Sequence, residues 1–365
     1  MPADRLEAID PWLEVLYEAH ATDLLLVGAS APRYRHGGEV RELQGAPVLS
    51  GAEIDQFVRG LLEPSQLAIL DAQGDVDFAF SWRDQARLRG SAFIQRGEMA
   101  VAIRIIPFAI PSFASLGLPP VFEYLSELNQ GFVLVTGPTG SGKSTTLASL
   151  IDRINETRAG TILTVEDPIE FIHSHKKCAI LQREIGSDSP NFERALRSAL
   201  REDPDVLLIG EMRDAESVGI AMTMAETGHT VFSTLHTNDA SQAVDRIIDV
   251  FPEGREDAGR NQLASSLAAV VSQRLVKKIG GGVVAAFEVL IATASIRNLI
   301  REGRSNQIPN LLRTGQKDGM CTLELSLAEL VRNQLVTLEH ALQETTKPEE
   351  LMTILKQSGN SLRGS

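Results

Sequence analysis

The chain has 365 residues, 43% of them hydrophobic and 23% charged, a composition typical of folded globular proteins and unlike disordered or fibrous ones. The length suits two domains better than one, and the formal net charge of −13 speaks against a general nucleic-acid binder, which needs clustered cations. Cys178 and Cys321, the two cysteines, show no CxxC spacing, so they make neither a disulfide framework nor a zinc knuckle and read as free thiols of a reducing compartment.

The first segment, MPADRLEAIDPW, carries acids and a proline where a secretory signal needs a basic start and an apolar run. No stretch approaches the ~18–20 apolar residues of a membrane span, so the expectation is a cytoplasmic protein without direct membrane insertion. Leu6, Ile9, Leu13 and Leu16 recur at helical spacing, and a strand-like run, Asp23–Val27, follows. Val76–Trp82 alternates as a strand does, and Met99–Ile106 is a second extended apolar run. Residues 1–105 therefore predict a small α+β domain on an antiparallel sheet. Residues 106–120 contain four prolines and predict a linker, since proline fits neither a helix interior nor a central strand. A helix over Val121–Asn129 follows.

From Gly131 the pattern changes. Buried-strand runs at Phe132–Thr136, Ile162–Val165, Val206–Ile209 and Val231–Thr234 alternate with helix-length segments, the pattern of a parallel sheet with crossover helices. Leu263, Leu267, Val270 and Val271 fit one face of a long helix running toward Lys278. A short strand is expected at Val283–Leu290, then helices to about Lys356 and a frayed polar end at Ser358–Ser365.

The strongest local signal is Gly137-Pro138-Thr139-Gly140-Ser141-Gly142-Lys143-Ser144, which fits G-x-x-x-x-G-K-[ST] between a predicted strand and a predicted helix. Its glycines let backbone amides curl around a phosphate. Lys143 is placed to reach the β- and γ-phosphates of ATP, the Ser144 hydroxyl to bind Mg²⁺, and Thr145 continues the first helical turn beside the anion. A P-loop alone does not name a reaction, so the accompanying carboxylates matter. Glu166 and Glu211 both end predicted strands, where open α/β sheets place their ligands, and a carboxylate at Glu211 can polarise a water for attack on the γ-phosphate. Either can also face the metal. His229 and His236 flank one short strand at an odd offset, so they are not expected to share a metal. At least one of them is expected to read the γ-phosphate or the catalytic water.

Taken in order, the P-loop, Val165–Phe171 (VEDPIEF), Arg201–Asp214 (REDPDVLLIGEMRD) and Thr227–Ala240 (TGHTVFSTLHTNDA) resemble the Walker A, Asp box, Walker B and His box of type IV pilus and type II secretion ATPases. The likeness continues through Ile248–Pro252, Ser272–Gly282 and Ser295–Gly303. SALREDPD, GEMRD and IRNLIRE look most similar to the PilT-type pilus-retraction ATPases, and the four-cysteine zinc element of the assembly and secretion relatives is missing. The resemblance implies an α/β fold, a RecA-like P-loop ATPase domain (121–365) behind a smaller N-terminal α+β PAS-like domain (1–105), working as a homo-hexamer. It further implies Glu211 as general base, Glu166 as an Asp-box carboxylate near the metal and γ-phosphate, and His229 as γ-phosphate sensor. Arginines of the N-terminal segment, here Arg87, Arg89, Arg96 and Arg104, are implied at the nucleotide. The helix carrying Arg297 is the part associated with retraction. The implied partners are an inner-membrane platform protein at the pilus base and other pilus ATPases, which would hold the protein peripherally at the inner membrane. Asp23-Leu24-Leu25-Leu26 departs from the family's Asp-Leu-His-Leu, and the chain after Gly315 follows the family loosely. Rival readings are an accessory retraction ATPase, an assembly or type II secretion ATPase, and a nucleotide-gated adaptor without turnover.

Overall fold

A computed structural model describes residues 9–19, 21–36, 39–83, 85–212 and 214–361; Leu6 and the end of the tail, 362–365, lie outside them. The chain divides after Ala109 into two units.

The first unit contains helices α1 (Asp10–Glu18), α2 (Gly51–Leu61) and α3 (Pro64–Gln73) and strands β1 (Asp23–Leu26), β2 (Arg33–His36), β3 (Glu39–Glu42), β4 (Asp75–Trp82), β5 (Ala86–Gln95) and β6 (Glu98–Pro107). The strands form one antiparallel sheet in the order β3-β2-β1-β6-β5-β4. In β4 every second residue is buried, so Val76, Phe78, Phe80 and Trp82 meet Leu13, Leu16, Ile54 and Val58 of the helices in one core, while the other face stays polar. The β2–β3 hairpin was not visible in the sequence, because its eight residues are mostly charged and largely exposed, with Val40 the one aliphatic residue among them. The proline-rich stretch is not wholly irregular: helix α4 (Phe113–Leu116) lies within it, capped by the Ser112 hydroxyl.

The second unit continues with α5 (Val121–Ser126), β7 (Gly131–Thr136), α6 (Lys143–Thr157), β8 (Gly160–Glu166), β9 (Cys178–Glu184), α7 (Phe192–Ala199), β10 (Val206–Ile209), α8 (Ala215–Glu226) and β11 (Thr230–Leu235). Then come α9 (Ala240–Asp249), α10 (Glu256–Ser266), β12 (Leu267–Lys277), β13 (Val283–Ile291), α11 (Ala294–Arg301), α12 (Ile308–Thr314), α13 (Leu323–Arg332), α14 (Leu338–Glu344) and α15 (Pro348–Ser361). The sheet order is β13-β12-β7-β11-β10-β8-β9, parallel except for β13 at one edge. Strands β7, β10 and β11 are buried along their whole length, as a sheet covered by helices on both faces requires. One face packs on α7 to α12 and the other on α5 and α6. Among the described residues no helix is long and apolar enough to cross a membrane.

Two expectations are corrected here. The expected long helix through Val271 ends at Ser266, and Leu267–Lys277 is a strand. The spacing of Leu263, Leu267 and Val270 suits a helix, but the β-branched pair Val270–Val271 fills the slot beside β7, and burial on both faces overrides local periodicity. The second correction is at the C-terminal end, where α15 extends to Ser361, past the expected fraying point. At the α10–β12 junction the Arg297 guanidinium clasps the helix end: Nη1 donates to Ala264 O at 2.5 Å and Ser265 O at 2.7 Å, and Nε to Ala292 O at 2.9 Å. The Ala264 and Ser265 carbonyls lie in the last turn of α10, where no intrahelical partner follows, so the clasp satisfies that C-terminus.

Candidate nucleotide site

Parallel pairing decides which residues meet. Thr136 pairs with Leu235, Ser233 with Ile209, and Ile209 with Val165. The segments after β7, β11, β10 and β8 therefore leave the same edge of the sheet, bringing Gly137, His236, Glu211 and Glu166 to one crevice, the ligand-binding edge of open α/β sheets. Backbone bonds fasten this edge: Gly137 N–H donates to Leu235 O at 3.3 Å, and Gly210 N–H to Val165 O at 2.8 Å. The Thr234 hydroxyl donates to Gly210 O at 2.5 Å.

The P-loop glycines all take positive φ, Gly140 at 80° among them, and at two of them a neighbour also closes the space a side chain would need. Gly137 has φ 145° and Gly142 φ 85°. A Cβ on Gly137 would lie 2.3 Å from Gln273 O, and one on Gly142 would lie 2.9 Å from Gln273 Nε2. The crest, Pro138, Thr139 and Gly140, is exposed, whereas Ser141 is buried and its Oγ has no hydrogen-bond partner. Lys143 is 8% exposed, and its Nζ donates to Gly137 O at 2.8 Å and Pro138 O at 3.1 Å. Burial lowers its pKa, opposed by the charges of Glu170 and Glu211. Ser144 and Thr145 stand half-buried in the first turn of the 15-residue helix α6, whose N-cap is Gly142. An exposed loop at a helix N-terminus, with a lysine held over it, fits a polyphosphate.

Across the crevice, Glu166 accepts from the Thr164 hydroxyl at 2.7 Å and from Gln182 Nε2 at 3.4 Å, with Glu170 N–H 3.5 Å from its other oxygen. Burial pushes its carboxyl up to about 7 against those hydrogen bonds. His236 Nε2 is 3.6 Å from Glu211 Oε1. Glu170, Gln182 and Gln273 were not singled out in the sequence. Glu170 was discoverable, lying four residues after Glu166 within VEDPIEF, whereas the two glutamines match no motif. The hard oxygen donors Ser144, Glu166 and Glu211 suit Mg²⁺. Among the described residues no three His, Cys, Asp or Glu side chains are grouped to hold a metal.

His229 requires a correction. It immediately precedes β11 and its carbonyl accepts from Gly131 N–H at the start of β7, so it lies at the opposite edge of the sheet. The six-residue strand at ~3.3 Å per residue separates it from the crevice by about 20 Å. Its Nδ1 is 2.9 Å from Met224 O and 3.2 Å from Thr227 Oγ1, closing the end of α8. Spacing had assigned the two histidines to opposite faces; it is strand direction that leaves His236 alone in the crevice of this chain.

The four arginines also separate. Arg89 pairs in register with Arg104, and Arg87 lies two residues along the same face of β5, the polar face. Arg104 Nε donates to Asp23 Oδ1 at 3.1 Å, and Arg35 is 3.7 Å from the other oxygen of Asp23. Arg96 stands apart, exposed in the β5–β6 turn at φ 56°.

A model of the type II/IV secretion system protein family matches residues 73–362. The chain is 45% identical over 329 residues to the type IV pilus retraction ATPase PilT of Pseudomonas aeruginosa, covering 90% of this chain and 95% of that protein. It is 47% identical over 321 residues to a twitching motility protein of Neisseria gonorrhoeae, covering 88% and 86%. The crystal structure of the pilus retraction motor PilT with bound ADP superposes with a TM-score of 0.86 at 42% identity, covering 94% of this chain and 99% of that one. The α/β fold, with a small N-terminal domain and a RecA-like core, is therefore that of PilT. The chain belongs to the type II/IV secretion system protein family and, within it, to the PilT-type pilus-retraction ATPases.

Proposed function

We propose that this chain is the ATP-hydrolysing subunit of a homo-hexameric motor that drives type IV pilus retraction and twitching motility by removing pilin subunits. The supporting observation is that the P-loop lysine, the P-loop serine and the two carboxylates Glu166 and Glu211 all leave one sheet edge. Lys143 leaves its loop carbonyls to pair with the β- and γ-phosphates, where it offsets charge as the bond to the leaving group breaks. Ser144, with Glu166 and Glu211 as further oxygen donors, would hold Mg²⁺, which when bound would offset charge on the phosphate oxygens. Glu211 takes a proton from the attacking water, and His236 beside it orients that carboxylate. Glu166, from the neighbouring strand, would act on the metal and the γ-phosphate. Arg87, Arg89 and Arg104, on one face of the N-terminal sheet, are the arginines we assign to charge stabilisation when domains close. The motor works in the cytoplasm against an inner-membrane platform protein at the pilus base.

The test is steady-state hydrolysis by purified protein against Glu211→Gln, with assembly followed by light scattering. Removal of a general base lowers turnover by about 10²–10⁴-fold, so the variant should bind nucleotide and form rings but barely turn over. Wild-type rings that bind ATP and turn it over no faster than the variant would replace the motor with a nucleotide-gated adaptor.

A further inference from the structure

We propose that Gln273 of β12 is a positioning residue that aims the P-loop amides at phosphate, acting through the loop without touching the nucleotide. The inference rests on the reading of Gly137–Ser144 as the phosphate cradle. Gln273 is 2% exposed and uses both ends of its amide: Nε2 donates to Ser141 O at 2.7 Å, and Oε1 accepts from the Thr146 hydroxyl at 2.9 Å. A buried amide with donor and acceptor both satisfied is held in one orientation.

The Ser141–Gly142 peptide is where this orientation matters. In a planar trans peptide the carbonyl and the following N–H point in opposite directions. Anchoring Ser141 O on β12 therefore turns Gly142 N–H away from β12, toward the open side of the loop. The second bond ties the same glutamine to α6, so loop and helix N-terminus keep a fixed relation. The loop is wrapped closely on this residue: the Cβ positions at Gly137 and Gly142 are closed by the carbonyl and amide of Gln273 respectively. Two of the P-loop's glycines are thus required by their neighbour as well as by phosphate. β12 is fixed beside β7 by the buried Thr136 Oγ1–Ser272 Oγ bond at 2.8 Å, so the anchor cannot drift.

A merely structural glutamine would contribute to stability alone, and variants separate the two roles. Gln273→Met keeps the volume and removes both bonds; Thr146→Val removes one and leaves the Ser141 anchor. With the full-length hexamer and a fluorescent ADP analogue, Gln273→Met should weaken binding about tenfold, a net loss in the range of one well-placed hydrogen bond. The KM for ATP should rise in step while kcat changes little, and Thr146→Val should stay within about twofold of wild type. Gln273→Leu also removes both bonds; it should reproduce the Gln273→Met loss, and it decides the matter if Gln273→Met folds poorly. Wild-type affinity in a folded variant lacking the donor, or equal losses in Thr146→Val, would overturn the assignment. Wild-type protein that fails to bind the analogue would instead overturn the reading of the loop, and the inference with it.

Discussion

The Glu288→Gln substitution probes a buried carboxyl at the base of the loop that carries His236. Glu288 lies on β13, 8% exposed, and accepts from Ala240 N–H in the first turn of α9 at 2.9 Å. Burial, then the charges of Asp239 and Glu324, raise its pKa, while the Ala240 N–H and Lys347 lower it; the carboxyl is pushed up to about 7 from its ordinary 4.5. Because the folded-state value is the higher one, the folded chain holds this proton more tightly. The contribution to stability is complete below pH 4.5 and is lost as pH rises to 7. Between pH 5 and pH 8 that loss is about 2.5 kcal/mol, from 1.36 kcal/mol per pKa unit and the two titration curves. Glutamine keeps the oxygen that accepts from Ala240 and cannot ionise. Urea unfolding at the two pH values should therefore show wild type losing about 2.5 kcal/mol more than Glu288→Gln across the interval. Parallel pH dependence of the two proteins would show that Glu288 titrates normally and refute the argument.

The two histidines should separate cleanly: His236→Ala should lower turnover at least tenfold with nucleotide binding intact, whereas His229→Ala should leave turnover within about twofold and lower stability by about 1 kcal/mol through the end of α8. Steady-state kinetics beside thermal unfolding read both, and a reversed pattern would restore His229 to the site. Phe232, wholly buried on the central strand β11, should lose about 3–5 kcal/mol on truncation to alanine, measured by denaturant unfolding. A loss below 1 kcal/mol would mean that the packing around it relaxes.

The sequence was readable where chemistry restricts the backbone. The P-loop needs glycine at fixed places and a lysine and serine next to them, so Gly137–Ser144 announced itself. Strands β7, β8, β10 and β11 were legible as apolar runs because both of their faces are covered. Strand β9 was missed: its apolar run, Cys178–Leu181, is only four residues long, and the polar Gln182, Arg183 and Glu184 complete the strand at the sheet edge. Strand β12 was mistaken because nothing between Ser266 and Leu267 interrupts a helical spacing; only its place beside β7 makes it extended. Gln273 was invisible for a different reason. A polar residue inside a sheet carries no periodic signature, and its role depends on two segments more than a hundred residues away. The histidine assignment failed because spacing fixes faces, whereas the end of the strand that matters depends on the direction of its neighbours.

β12 also links places that the chain keeps far apart. At its foot, the clasp of Arg297 grips the joint where α10 becomes the strand; six residues up from Leu267, Gln273 holds the P-loop. An extended chain is already near its greatest reach, and beyond a register shift between Leu267 and Ala269 this one is laced by hydrogen bonds to β7 on one side and β13 on the other. It behaves as a strut about 20 Å long. A shift of the phosphate loop and a shift of α11 are then two ends of one displacement.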